Sequence, residues 1–281
     1  MQTLLRSLTQ TLASCYSREE ASSVARIVLS EGMGFSTVRI YSGKDNDLSD
    51  IEQKKLQKIV SRLLNFEPLQ YVLGKASFCN LSLKVAPGVL IPRPETEELV
   101  TLIAKECAGS EPRLLDIGTG SGCIAIALKK IISDACVEAW DISAEALSQA
   151  KKNASFVGVD ISFRQIDILQ LQPIKDIVEE YDILVSNPPY VLYSEQKEMD
   201  PQVLNWEPHS ALFVPDEDAL RFYRSIATLG RRLLREGGFL YFEINKQFGA
   251  DIMMLLKSLG YKHVQLIKDQ FLNDRIIKAE R

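Results

Sequence analysis

Apolar residues recur at helical spacing through the first quarter of the chain. Leu4, Leu5, Leu8 and Leu12 form one stripe, Ala21, Val24, Ala25 and Val28 a second, and Leu56, Ile59, Val60, Leu63 and Leu64 a third. Ser17 with Glu20, and Ser49 with Glu52, stand ahead of the later stripes in capping-box spacing, where a hydroxyl takes the third amide and a carboxylate reaches back. Pro68 and Gly74 bracket a short helix over 69–73, proline at its start and glycine at its end. Residues 1–73 are therefore expected to form a helical bundle.

The period changes after Gly74. Phe78, Leu81, Leu83 and Val85 alternate, and Val89, Leu90 and Ile91 follow Pro87-Gly88. This predicts a β-hairpin linker over 74–92, turning at Pro87-Gly88. Pro94 then opens a helix whose Glu95, Glu97 and Glu98 suit its positive end. Beyond Arg113, short apolar runs around 114–117, 137–140, 161–163, 181–185 and 239–242 alternate with helical stretches such as 124–132, 144–154 and 220–234. Such alternation predicts an α/β domain over 93–281, built on a doubly wound, mostly parallel sheet of Rossmann-like type. Two late runs, 263–267 and 275–279, fit an antiparallel hairpin at the sheet's edge.

Composition narrows what such a chain does. With 281 residues, 46% of them hydrophobic, it can bury a core in one large or two modest domains. A net charge of -4 lacks the basic excess of a dedicated nucleic-acid binder, and Arg231, Arg232 and Arg235 read as a solvated helix face. The five cysteines include no C-x-x-C pair and there are two histidines, so no metal site is expected. Cys123 and Cys136 read as small core residues in a reducing compartment. No apolar run approaches the ~18 residues of a membrane span. The start lacks the basic and unbroken apolar pattern of a signal peptide, and a cytoplasmic location is expected.

The chemistry concentrates where strands end. Asp116-Ile117-Gly118-Thr119-Gly120-Ser121-Gly122 follows the first strand of the α/β domain and opens a helix. Its glycines let a ligand approach the backbone closely. Asp141 closes the second strand, 25 residues after Asp116, where a carboxylate can take both hydroxyls of a ribose. The loop is not spaced for a pyrophosphate as G-x-G-x-x-G is. The third strand ends at Ile166-Asp167, placing a carboxylate for an adenine amine, and the fourth ends at Asn187-Pro188-Pro189-Tyr190. Together these favour S-adenosylmethionine as cofactor. An amide or aromatic amine is a poor nucleophile because its lone pair is delocalised. The Asn187 side-chain oxygen and the Pro188 carbonyl can accept both of its N–H bonds, neither proline offers a competing donor, and Tyr190 can pack a ring on a flat group. Three readings stay open: a protein amide methyltransferase, a nucleic-acid amino-methyltransferase acting on adenine or guanine, and an adaptor that has lost transfer.

At these residues the chain resembles the release-factor glutamine methyltransferases (PrmC/HemK), over nearly its whole length. The resemblance includes 68–74 (Pro-Leu-Gln-Tyr-Val-Leu-Gly), 91–97 (Ile-Pro-Arg-Pro-Glu-Thr-Glu), the glycine loop, Asn187–Tyr190, and Glu207-Pro208 with Ala211-Leu212. It implies methylation of the glutamine amide in the Gly-Gly-Gln loop of class 1 peptide-chain release factors, and the N-terminal bundle, which shows no chemistry of its own, is expected to serve recognition. It implies cofactor contacts from Gly118, Thr119, Gly120, Ser121, Gly122, Asp141, Ile168 and Asn187, to which the strand-end reading adds Asp167. Glutamine would be held by Asn187, Pro188, Pro189 and Tyr190, with Asn187, Pro188 and Tyr190 catalytic. The chain departs from the family pattern at Ile168, where some members carry an aromatic, and at Asn245 and Leu272, where glycine is common. Trp206 and His209 are expected to pack loops, and Thr96 and Glu97 stand where they can line the cleft.

Overall fold

The computed structural model describes residues 4–42, 47–170 and 180–281. Two compact units emerge. One spans the chain to Lys75 together with Asp200–Trp206, and the other holds Ala76–Met199 with Glu207–Arg281.

The first unit contains α1 (Leu4–Leu12), α2 (Arg18–Ile27), α3 (Thr37–Ser42), α4 (Asp50–Leu64) and α5 (Leu69–Leu73). Its core takes one residue in three or four from each stripe, including Leu8, Leu12, Val24, Leu29, Ile59 and Leu63. The full capping box forms at Ser49 and Glu52. At Ser17 only the hydroxyl half does, accepting from Glu20 N. Gly74 ends α5 with φ 72°, the left-handed conformation that glycine adopts without Cβ strain. A later helix, Pro201–Trp206 (α9 in chain order), belongs to the same unit. There Tyr16 Oη donates to Gln202 Oε1 at 3.4 Å and Trp206 Nε1 donates to the Asn65 carbonyl at 3.3 Å.

The second unit begins within β1 (Lys75–Phe78), which pairs with β2 (Leu81–Lys84). Their turn is at Cys79-Asn80 and not, as expected, at Pro87-Gly88. Cys79 and Asn80 both take positive φ, 47° and 60°, as a tight two-residue hairpin turn requires, and this register buries Phe78 and Leu83 fully. Val89 and Ile91 are also buried but lie outside any strand.

The remaining elements are α6 (Pro94–Glu106), β3 (Arg113–Ile117), α7 (Cys123–Ile131), β4 (Cys136–Asp141), α8 (Ala144–Val157), β5 (Ser162–Gln165), β6 (Tyr181–Ser186), β7 (Val191–Leu192), β8 (Phe213–Val214), α10 (Arg221–Leu233), β9 (Leu234–Glu243), α11 (Gly249–Ser258), β10 (Lys262–Lys268) and β11 (Asp274–Glu280). Seven strands form one sheet in the order β10-β11-β9-β6-β3-β4-β5. Strand β11 runs antiparallel to both neighbours, and the pairs β9·β6, β6·β3, β3·β4 and β4·β5 are parallel. The late hairpin thus inserts β11 inside the sheet and leaves only β10 at the edge.

Neighbouring strand residues feed opposite faces, as a pleat demands. Leu114, Ile183, Val185 and Tyr241 join a core with Leu99, Ile103, Ile124 and Leu128 of α6 and α7. Leu115, Leu184, Leu240 and Phe242 join another with Tyr223, Ile226, Ile252 and Leu256 of α10 and α11. This is a doubly wound α/β fold with both sheet faces covered. Two sequence expectations shift. Helix α10 ends at Leu233, so Arg235 lies on β9, paired with Asp182 across to β6, and not on a helix face. Cys136 is exposed, outside the core. No described helix is long and apolar enough to cross a membrane.

Candidate active site

From β3 the chain steps outward to β4 and β5, then returns to β6 on the other side of β3. Such a reversal opens a crevice at the carboxyl ends of the two central strands. A cavity of about 380 Å³ lies there, lined by residues between Gly88 and Ile226 of the second unit.

The loop after β3 forms one wall and is tied down on every side. Gly118 N and Thr119 N donate to the Trp140 carbonyl at 2.8 and 3.0 Å, and the Thr119 hydroxyl donates to Asp116 Oδ2 at 2.6 Å. Asn153 Nδ2 donates to the Ser121 carbonyl at 2.9 Å. Asp116 is fully enclosed, and burial pushes its carboxyl up to about 7 against the pull of the Thr119 hydroxyl. Gly118 and Gly120 have φ of +75° and +55°, and a Cβ on either would project into open space. Gly122, at +82°, differs. A Cβ there would sit 2.9 Å from Ile126 Cδ1 and 3.0 Å from Ala150 Cβ, and Gly122 does not line the cavity.

Asp141, at the end of β4, accepts from Gly120 N and from Ser143 N, each at 2.8 Å. Burial raises its carboxyl, and these backbone amides oppose the rise. Each oxygen keeps a lone pair for a ligand. Asp167 lines the cavity past β5, with Oδ1 accepting from Leu169 N at 2.9 Å. Ile142 and Ile168 supply apolar wall. Gly118, Thr119, Gly120, Ser121, Asp141, Asp167, Ile168, Asn187, Pro188 and Pro189 therefore meet around one space.

Tyr190 stands behind it. Its hydroxyl donates to Glu243 Oε1 at 3.4 Å, and its carbonyl accepts from Asn245 Nδ2 at 3.2 Å. Aromatic cavity surface comes instead from Trp140, Phe222, Tyr193 and Phe213, the last two stacked with ring centroids 5.3 Å apart. Two further hydrogen-bonded groups were not anticipated from sequence. Asn187 Nδ2 donates to Thr96 Oγ1 at 3.3 Å, and Thr96 Oγ1 donates to Glu243 Oε2 at 2.6 Å. Buried Glu207 accepts from Arg93 at 2.6 Å and from Ile91 N at 3.1 Å. The shared motifs around Thr96 and Glu207 mark these residues, but no local periodicity states their partners. Trp206 and His209 do pack as expected, His209 edge-on to Phe213 at 5.1 Å.

Residues 94–205 match the methyltransferase small domain, and residues 3–74 match the PrmC N-terminal domain. A release factor glutamine methyltransferase from Bacteroides thetaiotaomicron is 51% identical over 97% of this chain and 97% of its own length. The chain belongs to the release factor glutamine methyltransferase family. A second member, from Flavobacterium psychrophilum, is 44% identical over 96% of this chain and 95% of its own. A solved methyltransferase from Pyrococcus furiosus shares the fold, with TM-score 0.55 at 18% identity, covering 78% of this chain and 96% of that one. The asparagine at 245 does work that a glycine could not do. It caps the turn 246–248 through Gln247 N, at 3.1 Å, and holds the Tyr190 carbonyl.

Proposed function

We propose that the cavity binds S-adenosylmethionine and that its Asn187–Pro189 edge presents the glutamine side-chain amide of a class 1 release factor for N-methylation. One observation carries this reading. Asn187 lines the cavity with its amide nitrogen already engaged by Thr96, which leaves its carbonyl oxygen as the group to offer a substrate.

The residues fit the cofactor. The positive-φ backbone at Gly118 and Gly120 makes a cradle that any Cβ would fill. Asp141 suits a ribose diol, Asp167 an exocyclic amine, and Ile142 and Ile168 the faces of a purine. When bound, S-adenosylmethionine supplies a methyl group already activated on a sulfonium. The protein's share is then positioning and electrostatics. Asn187 Oδ1 and the Pro188 carbonyl accept the two N–H bonds of the incoming amide. That fixes its plane and raises electron density on its nitrogen, while the two prolines contribute no competing N–H. Tyr190, held through Glu243 and Asn245, fixes the backbone of this edge rather than stacking in the cavity. Among the described residues the first unit supplies no cavity lining, and we assign it recognition of the protein substrate. A translation factor as substrate carries with it a cytoplasmic location.

The test is transfer of labelled methyl from S-adenosylmethionine to purified release factor, with tRNA, ribosomal RNA and DNA as competing acceptors and mass analysis of the product. Methyl on the Gly-Gly-Gln glutamine is expected. Label on nucleic acid alone would overturn the reading. Asn187→Ala should cost about 100- to 1000-fold in single-turnover rate, as for loss of a preorganised polar contact to a transition state.

A further inference from the structure

Thr96 and Glu243 lie 147 positions apart in sequence, on the first turn of α6 and at the end of β9, and each is almost wholly buried. Thr96 is a hydrogen-bond partner of Asn187, and its own contact to Glu243 is short, at 2.6 Å. Asn187 Nδ2 donates to Thr96 Oγ1, Thr96 Oγ1 donates to Glu243 Oε2, and Tyr190 Oη donates to Glu243 Oε1.

The order of donors in this chain has a consequence. A hydroxyl has one proton, and an ionised carboxylate can only accept. With the Thr96 proton committed to Glu243, only lone pairs remain for Asn187. The two ends of an asparagine amide are nearly identical in shape, so partners alone decide which end points where. A pure acceptor at Thr96 selects the NH2 end and turns the carbonyl away from it. Were Glu243 protonated, it could donate to the Thr96 oxygen, and the Thr96 proton would be free for Asn187 Oδ1. The amide would then flip and offer NH2 to a substrate that itself brings N–H.

We propose that Glu243, acting through Thr96, is a positioning residue that holds the Asn187 amide with its carbonyl toward the substrate nitrogen. This rests on the reading of Asn187 as the acceptor for the substrate amide. Groups around Glu243 set when the device operates. Burial raises its carboxyl above the usual range. The Thr96 hydroxyl, the Arg275 charge on β11 and the Tyr190 hydroxyl lower it, and Glu95 on α6 raises it. Tyr223 of α10 donates to the Glu243 backbone carbonyl, and Cys123 of α7 stands close enough to feel its charge. The correct orientation holds while Glu243 is ionised and is lost as pH falls through its raised value. Turnover therefore carries an acid limb that belongs to Glu243.

Single-turnover methylation of release factor by the full-length protein, at saturating cofactor and across pH, tests this. Thr96→Val keeps the shape and removes the relay. It should lower the rate about 10- to 100-fold, as for loss of one charge-linked hydrogen bond, with KM for release factor and cofactor affinity nearly unchanged. Thr96→Ser, which restores the hydroxyl, should recover most of the rate. Glu243→Gln should lower the rate and flatten the acid limb. If serine is no better than valine, or if the acid limb survives unchanged in a folded Glu243→Gln protein, the relay does not orient Asn187. If Glu243→Gln does not fold, the valine–serine comparison decides alone. A wild-type protein that leaves the glutamine unmethylated would remove the functional reading and this one together, whereas an active wild type with indifferent Thr96 variants would remove only this one.

Discussion

Asp141 holds two backbone amides, Gly120 N on one oxygen and Ser143 N on the other. It therefore shapes the glycine loop as well as, on the reading proposed above, offering lone pairs to a ribose. Asp141→Ala should weaken S-adenosylmethionine binding by about 10- to 150-fold, the equivalent of roughly 1.5–3 kcal/mol for hydrogen bonds to a charged group. Calorimetry on the folded variant checks it, and unchanged affinity would rule out the ribose role. At this scale the sequence was informative wherever residues are neighbours in the chain. Gly118–Ser121, the strand-end acids and Asn187–Pro189 were all legible as cavity lining, because each sits where a strand stops and the crevice opens. Thr96 and Glu243 were not. Their contact spans α6 and β9, and nothing in the local pattern of either shows that a hydroxyl and a carboxylate will meet under Asn187.

Among the elements, the turn from β3 into α7 separates two jobs that the sequence presents as one glycine motif. Gly118 faces open space and Gly122 faces the packed α7–α8 contact. Gly118→Ala should cost only the left-handed strain, about 1–2 kcal/mol, but lose cofactor affinity far beyond that. Gly122→Ala should add crowding of about 1–3 kcal/mol to the same strain, and so lose mainly thermal stability. Paired melting and binding measurements distinguish the two, and equal effects from both glycines would mean that the loop is not divided in this way. Strands and helices with clear periods were legible, including the late hairpin. The turn at Cys79-Asn80 was not, because Cys79 is a weak turn former and Asn80 alone is outweighed by the Pro87-Gly88 pair nearby. Burial of Phe78 and Leu83 decided the register instead. Helix α9 was equally silent, since six residues are too few to show a helical stripe.

For the whole molecule, the two units divide chemistry from what we assign as recognition. All cavity-lining residues lie between Gly88 and Ile226, outside the first unit. A fragment beginning at Ala76 should bind S-adenosylmethionine within a few-fold of the full chain's affinity, yet fail to methylate intact release factor. Full activity of that fragment on release factor would take the recognition role away from the helical unit. The fragment should also melt at lower temperature, because Trp206 and Gln202 lose their Asn65 and Tyr16 partners.

The membership of 200–206 in the first unit also orders events during synthesis. On the ribosome, domains tend to fold as they emerge, N-terminal first, at roughly 5–20 residues per second. Here the N-terminal segment of the helical bundle ends at Lys75, and α9, which completes it, is encoded far downstream, beyond most of the parallel sheet. For the roughly 7 to 25 seconds that this interval takes at such rates, the bundle is a nascent body with an unfilled position. It closes only after the strands that carry the glycine loop and Asn187 have left the ribosome.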